Sequence, residues 1–326
     1  MSFKIKLSKS IIERLNNFIK SNYYRVDDVH ITEHWDNWTK KKQIIAKDNY
    51  VLIEKTNDKT TLQQGFDTDY LSNFTGTPSY KTSIKQILAN GLSQLRKKNQ
   101  PIQSLESYLK RNMYKSIILP NKFQSRSHLL SYLHFNNIIN TGRLKELGDI
   151  KYLEIGSGSG LLTSLIIEKL NVKKVHLIDL PHVIVYSFIY LSYKFPNLKI
   201  SLPNEINLKD SSFVSFYLPG EIENIKNFNL MVNTESFAEM SMPNIVSYMN
   251  FLRENSETKN LFYCCNRVEK FMRNKSQING DLLPIRFTEY PWMQQDEVFH
   301  YKIEEFYSRF TKMPFFSKAV NLHKII

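Results

Sequence analysis

The sequence predicts an α/β protein: a doubly wound, mostly parallel sheet over residues 148–326, preceded by a mostly helical, basic region over residues 1–147. Three observations lead there. From Lys151 onward, short apolar runs alternate with stretches of helical spacing, as in a parallel sheet covered on both faces. Three of the chain's ten glycines fall within five residues, between the first such run and the helical stretch that follows it. The charge is also lopsided. Residues 1–150 hold 24 Lys and Arg against 13 Asp and Glu, a net +11, whereas residues 151–326 hold 20 against 18, a net +2.

In chain order, apolar residues at helical spacing (Ile11, Leu15 and Phe18, then Ile84, Ile87 and Leu88) mark helices in the first half. Some strand is expected around 50–53, and turn-rich material at 67–79 splits this half in two. The boundary is expected near Gly148. Beyond it, strands are expected at 152–155, 174–178, 198–201, 230–233 and 261–265, with helices near 161–170, 181–194 and 242–253. Two further segments, 285–290 and 317–325, are expected as edge strands. Ligands of such sheets bind outside the carboxyl ends of the strands, where the strand order switches.

Composition narrows the class. With 326 residues, 42% hydrophobic and 23% charged, the chain has an ordinary globular make-up and is not a disordered one. Its two cysteines are adjacent, Cys264 and Cys265, so neither a disulfide framework nor a cysteine-based zinc site is expected, and a reducing cytoplasm is the simplest home. The N-terminus lacks the continuous apolar core of a signal peptide. The greasiest segment, 183–191, is about half of the roughly 20 residues that a membrane span needs.

Residues 81–126 carry ten basic side chains (Lys81, Lys85, Arg96, Lys97, Lys98, Lys110, Arg111, Lys115, Lys122, Arg126) against one acid, Glu106. Such a segment is either a solvated helical surface or a field that draws an anionic acceptor or an anionic membrane leaflet. Nucleic acid is not the expected partner, because no zinc-finger or RNP-type pattern accompanies the charge.

The glycine cluster reads Glu154-Ile-Gly156-Ser157-Gly158-Ser159-Gly160. Glycines at that place permit a tight turn and let a ligand approach the backbone. Glu154 ends the first strand, and Asp179 ends the next one, where a carboxylate can accept both ribose hydroxyls. A nicotinamide site expects G-x-G-x-x-G and a phosphate at the helix start. Here the spacing is G-x-G-x-G, and the preceding acid suits an ammonium better than a phosphate. S-adenosylmethionine carries an ammonium and a sulfonium and no phosphate, so the residues favour it.

Leu153-Glu-Ile-Gly-Ser-Gly-Ser-Gly160 resembles motif I of class I S-adenosylmethionine-dependent methyltransferases. Ile178-Asp-Leu-Pro-His182, Tyr190-Leu-Ser-Tyr193, Asn233-Thr-Glu-Ser-Phe-Ala-Glu-Met240 and Asn266-Arg-Val-Glu-Lys270 resemble the sugar O-methyltransferases found with bacterial surface-polysaccharide genes. The class-level resemblance covers about 150–326. It implies a seven-stranded Rossmann-like class I methyltransferase sheet and S-adenosyl-L-methionine as cofactor. It puts Glu154, Gly156, Ser157, Gly158, Ser159 and Gly160 at the methionine moiety and Asp179 at the ribose. Leu180, Asn233 and Thr234, beside these at the strand ends, complete the expected cofactor set. The implied acceptor is a small-molecule or glycan-linked sugar, anionic if the basic segment serves it.

A sugar hydroxyl needs a base to become a nucleophile. Glu235 and Glu239 follow the fourth strand, and if that segment is helical they share one face. One would act as base while the other orients the acceptor. His300 is a rival base, whereas His176 is expected to be packed in its strand and His182 to lie near the cofactor. His30 and His34 lack a placed carboxylate, and no metal site is expected. Tyr290 and Trp292, like Trp35 and Trp38, suit either sugar stacking or the core. Three readings stay open beside the leading one: a nucleic-acid methyltransferase, a nicotinamide-dependent oxidoreductase, and a non-catalytic nucleotide-binding protein of the same fold.

Overall fold

The computed structural model describes residues 2–24, 42–47, 50–55, 126–269, 285–304 and 315–324. At the start of the chain, β1 (Ser2–Lys6), β2 (Lys42–Lys47) and β3 (Tyr50–Lys55) form an antiparallel sheet in the order β1-β3-β2. Beside it lies α1 (Lys9–Lys20), whose first turn is capped by Ser8 accepting from the Ile11 amide at 3.3 Å. Its apolar stripe, Ile12, Leu15 and Phe18, is buried as the helical spacing requires. β1 and β2 are strands that the sequence reading did not anticipate. The basic segment at 81–125, His30, His34, Trp35 and Trp38 lie outside the described residues, as does the Arg126 side chain.

The main sheet has eight strands, ordered β10-β11-β9-β8-β4-β5-β7-β6. Its elements are α2 (Arg126–Asn140), β4 (Ile150–Ile155), α3 (Leu161–Lys169), β5 (Val172–Ile178), α4 (Pro181–Lys194), β6 (Ile200–Ser201), β7 (Val214–Tyr217), β8 (Phe228–Thr234), α5 (Met242–Asn255), β9 (Ser256–Arg267), β10 (Glu297–Glu304) and β11 (Phe315–Asn321). Strands β4 to β9 pair in parallel, while β11 is antiparallel to both β9 and β10. The order reverses between β4 and β8, so the ligand crevice of this Rossmann-like sheet opens at their carboxyl ends.

Both faces are covered. Tyr152, Leu261, Tyr263 and Cys265 pack into the core shared with α2, α3 and α4, while Leu153, Ile155, Phe262 and Cys264 pack into the one shared with α5. That two-sided burial is why these strands read as unbroken apolar runs. Helix α4 starts at Pro181, whose missing N–H costs nothing in a first turn. It is apolar nearly all round because twelve of its fourteen residues are buried. Arg14 of α1 grips Glu205 with two bonds of 2.6 Å and lies over the Phe188 ring of α4, which fastens the N-terminal elements to the far edge of the sheet.

Two strand expectations are corrected. The strand foreseen at 198–201 is only the two residues of β6, and the third full strand is β7, whose four buried residues offer too short a run to stand out. Residues 285–290 form one bridge, Glu269 to Arg286, and a single 3-10 turn at Phe287–Glu289. The Glu289 carboxylate accepts from both the Arg286 amide and its guanidinium, which holds the segment curled. The edge position is taken instead by β10. No helix among the described residues is long and apolar enough to cross a membrane.

Candidate functional site

The loop after β4 is built on left-handed backbone: Gly156, Gly158 and Gly160 have φ of 77°, 56° and 77°. Side chains other than glycine pay for that conformation. The Gly156 amide donates to Ile178 O of β5 at 2.8 Å, and the Gly160 amide donates back to Ser157 O at 2.9 Å, closing the turn into α3. Gly156 also has no room for a Cβ, which would lie 2.3 Å from Ser236. Ser157 is buried, while Gly158 and Ser159 are half-buried at the crevice.

Two acids flank this loop. Asp179, at the tip of β5, accepts the Gly158 amide at 2.8 Å on one oxygen and the Leu180 amide at 2.7 Å on the other. Burial pushes its carboxyl up to about 7, against the pull of the bonds from Gly158, Leu180 and Ser157. Glu154 is 2% exposed and accepts from Thr163 Oγ1 at 2.5 Å and Tyr152 OH at 2.9 Å. Burial lifts it to about 8, opposed by those two bonds and helped by the charge of Asp179. Asp179 and Leu180 are half-buried, on the same rim as the glycine loop.

The carboxyl end of β8 is fixed to that rim. Asn233, fully buried, donates to Ile155 O at 2.9 Å and to Ser236 Oγ at 2.6 Å, and accepts from the Phe237 amide and Asn266 Nδ2. Its side chain therefore latches β4, β8 and β9 together and does not face the crevice, a correction to its expected place in the cofactor set. Thr234 is half-buried at the strand end, paired with Cys265.

The expected helix bearing Glu235 and Glu239 is also corrected. Glu235 sits at φ 64°, and only a single 3-10 turn, Phe237–Glu239, precedes α5. Ser241 caps α5 by accepting from the Asn244 amide, so the helix starts after both acids rather than beneath them. The two carboxylates are thus on one connection at the crevice but not on one helical face. Glu239 pairs with Arg267 of β9 at 3.4 Å. Arg267 is a site residue the sequence reading passed over, although it lies within the matching Asn266–Lys270 segment.

His300 is not brought to the glycine loop. Register runs from Glu154 through Val232, Tyr263 and Ala319 to His300, four strands away, or about 19 Å at the usual strand spacing. It is bonded at 2.7 Å to Ser317 Oγ, which donates to the buried Glu304 carboxylate. Since the serine's one proton goes to Glu304, His300 is the donor to Ser317 and holds that proton on Nε2. Burial lowers it to about 4. His176 is packed against the Tyr217 hydroxyl at 3.3 Å, as expected of a strand histidine. Tyr290 is buried, and Trp292 donates to Phe287 O at 3.0 Å with Lys318 over its ring, so these aromatics belong to the core.

No family model matches the chain, and no curated protein matches it. Among solved structures it is similar to a S-adenosylmethionine-dependent methyltransferase from Clostridium acetobutylicum, at 11% identity over 68% of this chain and 99% of that one, with a TM-score of 0.39. It is also similar to a SAM-dependent methyltransferase from Leishmania major, at 13% identity over 68% of this chain and 82% of that one, with a TM-score of 0.40.

Proposed function

We propose that the chain is an S-adenosyl-L-methionine-dependent O-methyltransferase that acts on a sugar hydroxyl in surface-glycan biosynthesis. The cofactor reading rests on one arrangement: three left-handed glycines between two acids, with the Asp179 carboxylate bonded to the Gly158 amide, at the point where strand order reverses. Acids on both flanks repel a pyrophosphate and attract an ammonium. When bound, the cofactor supplies a methyl group on a positively charged sulfur for in-line displacement.

The chain's own residues do the rest. Asp179 keeps lone pairs for the ribose hydroxyls beside the two amides it already accepts. Glu235, held by its backbone bond to Cys265 O at 2.8 Å, takes the acceptor's hydroxyl proton on its carboxylate. Glu239, anchored by Arg267, orients the acceptor. The sugar reading is supported by the matching segments at 178–182, 190–193, 233–240 and 266–270. The +11 excess over residues 1–150 suits an acceptor bearing phosphate or carboxylate.

Calorimetric titration of S-adenosylhomocysteine and of NADH tests the cofactor. Micromolar binding of the former alone, lost in Asp179→Ala, is the expected result. Binding of NADH, or of neither, overturns the reading. With acceptor sugars in hand, Glu235→Gln is expected to lower kcat about 10²–10⁴-fold. An unchanged rate and pH profile in both Glu235→Gln and Glu239→Gln would remove these residues from the chemistry.

A further inference from the structure

Glu154 and Asp179 share the crevice, and every donor to them among the described residues is neutral. Glu154 accepts from the Tyr152 and Thr163 hydroxyls, both on the same oxygen, Oε2. Asp179 accepts from backbone amides and Ser157. Among the described residues neither acid is in an ion pair. Among the described residues, the charge of Asp179 adds to the rise of Glu154, and the tyrosines that feel these acids, Tyr152 and Tyr248, are held neutral by burial. A buried carboxylate without a counter-charge is expensive, and a second acid nearby makes it more so. The cheap remedy is a proton. The two amides on Asp179 favour its ionised form, so the proton falls to Glu154, whose donors are hydroxyls alone.

Building on the cofactor reading above, we propose that the Glu154–Asp179 pair holds a proton when the crevice is empty and gives it up when a ligand's ammonium docks on the glycine loop. Binding and deprotonation are then one linked step. The O–H bond of the carboxylic acid breaks, its proton leaves to the buffer, and the ligand's N–H takes its place as donor to the carboxylate. The direction of the burial shifts agrees: both acids are raised, Glu154 the further. A ligand with the same nucleoside but no ammonium gains nothing from that exchange.

The test compares S-adenosylhomocysteine with 5′-methylthioadenosine, which lacks the amino-acid end. Both are titrated calorimetrically into the intact chain from pH 5.5 to 7.5, in two buffers of different ionisation enthalpy. S-adenosylhomocysteine is expected to gain about tenfold in affinity per pH unit in the acid part of this range and to release nearly one proton, while methylthioadenosine stays within about twofold. In Glu154→Gln, which mimics the protonated acid, the slope for S-adenosylhomocysteine is expected to vanish. That comparison holds whatever methylthioadenosine's affinity, and the wild-type slope holds if the variant does not fold. Buffer-independent heat and a flat affinity, equal slopes for both ligands, or a slope surviving in Glu154→Gln overturn the proton linkage alone. Failure of S-adenosylhomocysteine to bind at any pH overturns the cofactor reading with it.

Discussion

Ser236 closes over Gly156: its Cβ and Oγ lie 2.3 Å from the point that a Cβ on Gly156 would occupy. The contact joins the connection after β8 to the turn after β4, the two segments that bound the crevice. It is reinforced where Ser236 Oγ donates to Ile155 O at 3.2 Å and accepts from Asn233. The glycine at 156 is thus required twice, by a φ of 77° and by its neighbour.

Gly142 offers the control, because its φ is 71° and nothing lies within 4 Å of a Cβ there. Gly142→Ala should cost about 1–2 kcal/mol, the price of the left-handed conformation alone. Gly156→Ala should cost about 1–3 kcal/mol more through overpacking, and should weaken S-adenosylhomocysteine binding as Ser236 is driven off the loop. Urea unfolding of both variants separates the two effects. Equal losses would show that Ser236 gives way freely.

The Asn233 latch should be stiff to substitution. Its side chain makes four bonds in a buried place, so Asn233→Ala strands the Phe237 amide and leaves Ile155 O with the longer bond from Ser236 in place of two donors. A loss of about 2–4 kcal/mol is expected, from lost bonds and unsatisfied partners together. Asn233→Asp should not rescue it, because a carboxylate cannot donate to Ile155 O. Denaturant midpoints with unchanged slope would check this, and a midpoint within error of wild type in Asn233→Ala would refute it.

The acids of the crevice also make the ligand-free protein sensitive to pH. Their folded values, about 8 for Glu154 and about 7 for Asp179, lie above those of unfolded carboxyls. The folded state therefore binds more protons, and stability falls as pH rises. This contribution is complete below about pH 4 and is lost through pH 7 to 8. The melting temperature should decline between pH 5 and 8, by about 2–4 °C for each kcal/mol lost. Glu154→Gln, which cannot ionise, should decline less steeply. Parallel curves for wild type and variant would assign the pH dependence elsewhere.

What the sequence made legible follows from where each element is buried. Strands β4, β5, β8 and β9 lie inside the sheet and announce themselves as apolar runs, and the glycine cluster stands out because glycine is scarce. The edges did not. β10 exposes Val298, Tyr301 and Ile303 on one side and keeps Glu304 buried on the other, which inverts the usual alternation. At the site, spacing found Glu154 and Asp179 because each ends a strand. Spacing could not tell that Asn233 turns inward, since that depends on Asn266 arriving from β9. Glu235 and Glu239 looked like one helical face because i and i+4 residues do so only if the backbone is helical, and the left-handed Glu235 breaks that condition. The pairing of Arg267 with Glu239 joins the end of β9 to the 3-10 turn before α5, and no local pattern carries it.

Arg253 and Asp296 form an ion pair whose side chains are both wholly buried. The guanidinium meets both carboxylate oxygens, at 2.5 and 2.7 Å, and also donates to Pro291 O and His323 O. Burial would push Asp296 up, but the bonds from Arg253 and the His323 and Met293 amides prevail and hold it below the usual range. The pair ties α5 to the approach to β10 and to the segment after β11. Removing one member leaves the other charged in a dry place, so Arg253→Met or Asp296→Leu should each cost about 3–5 kcal/mol. The double variant removes both charges at once and should lose less than the sum, by at least about 1 kcal/mol. It should not recover fully, because the Pro291 and His323 carbonyls lose their donor. Chemical unfolding of the four proteins gives the cycle directly, and strict additivity would mean that the pair contributes no coupling at all.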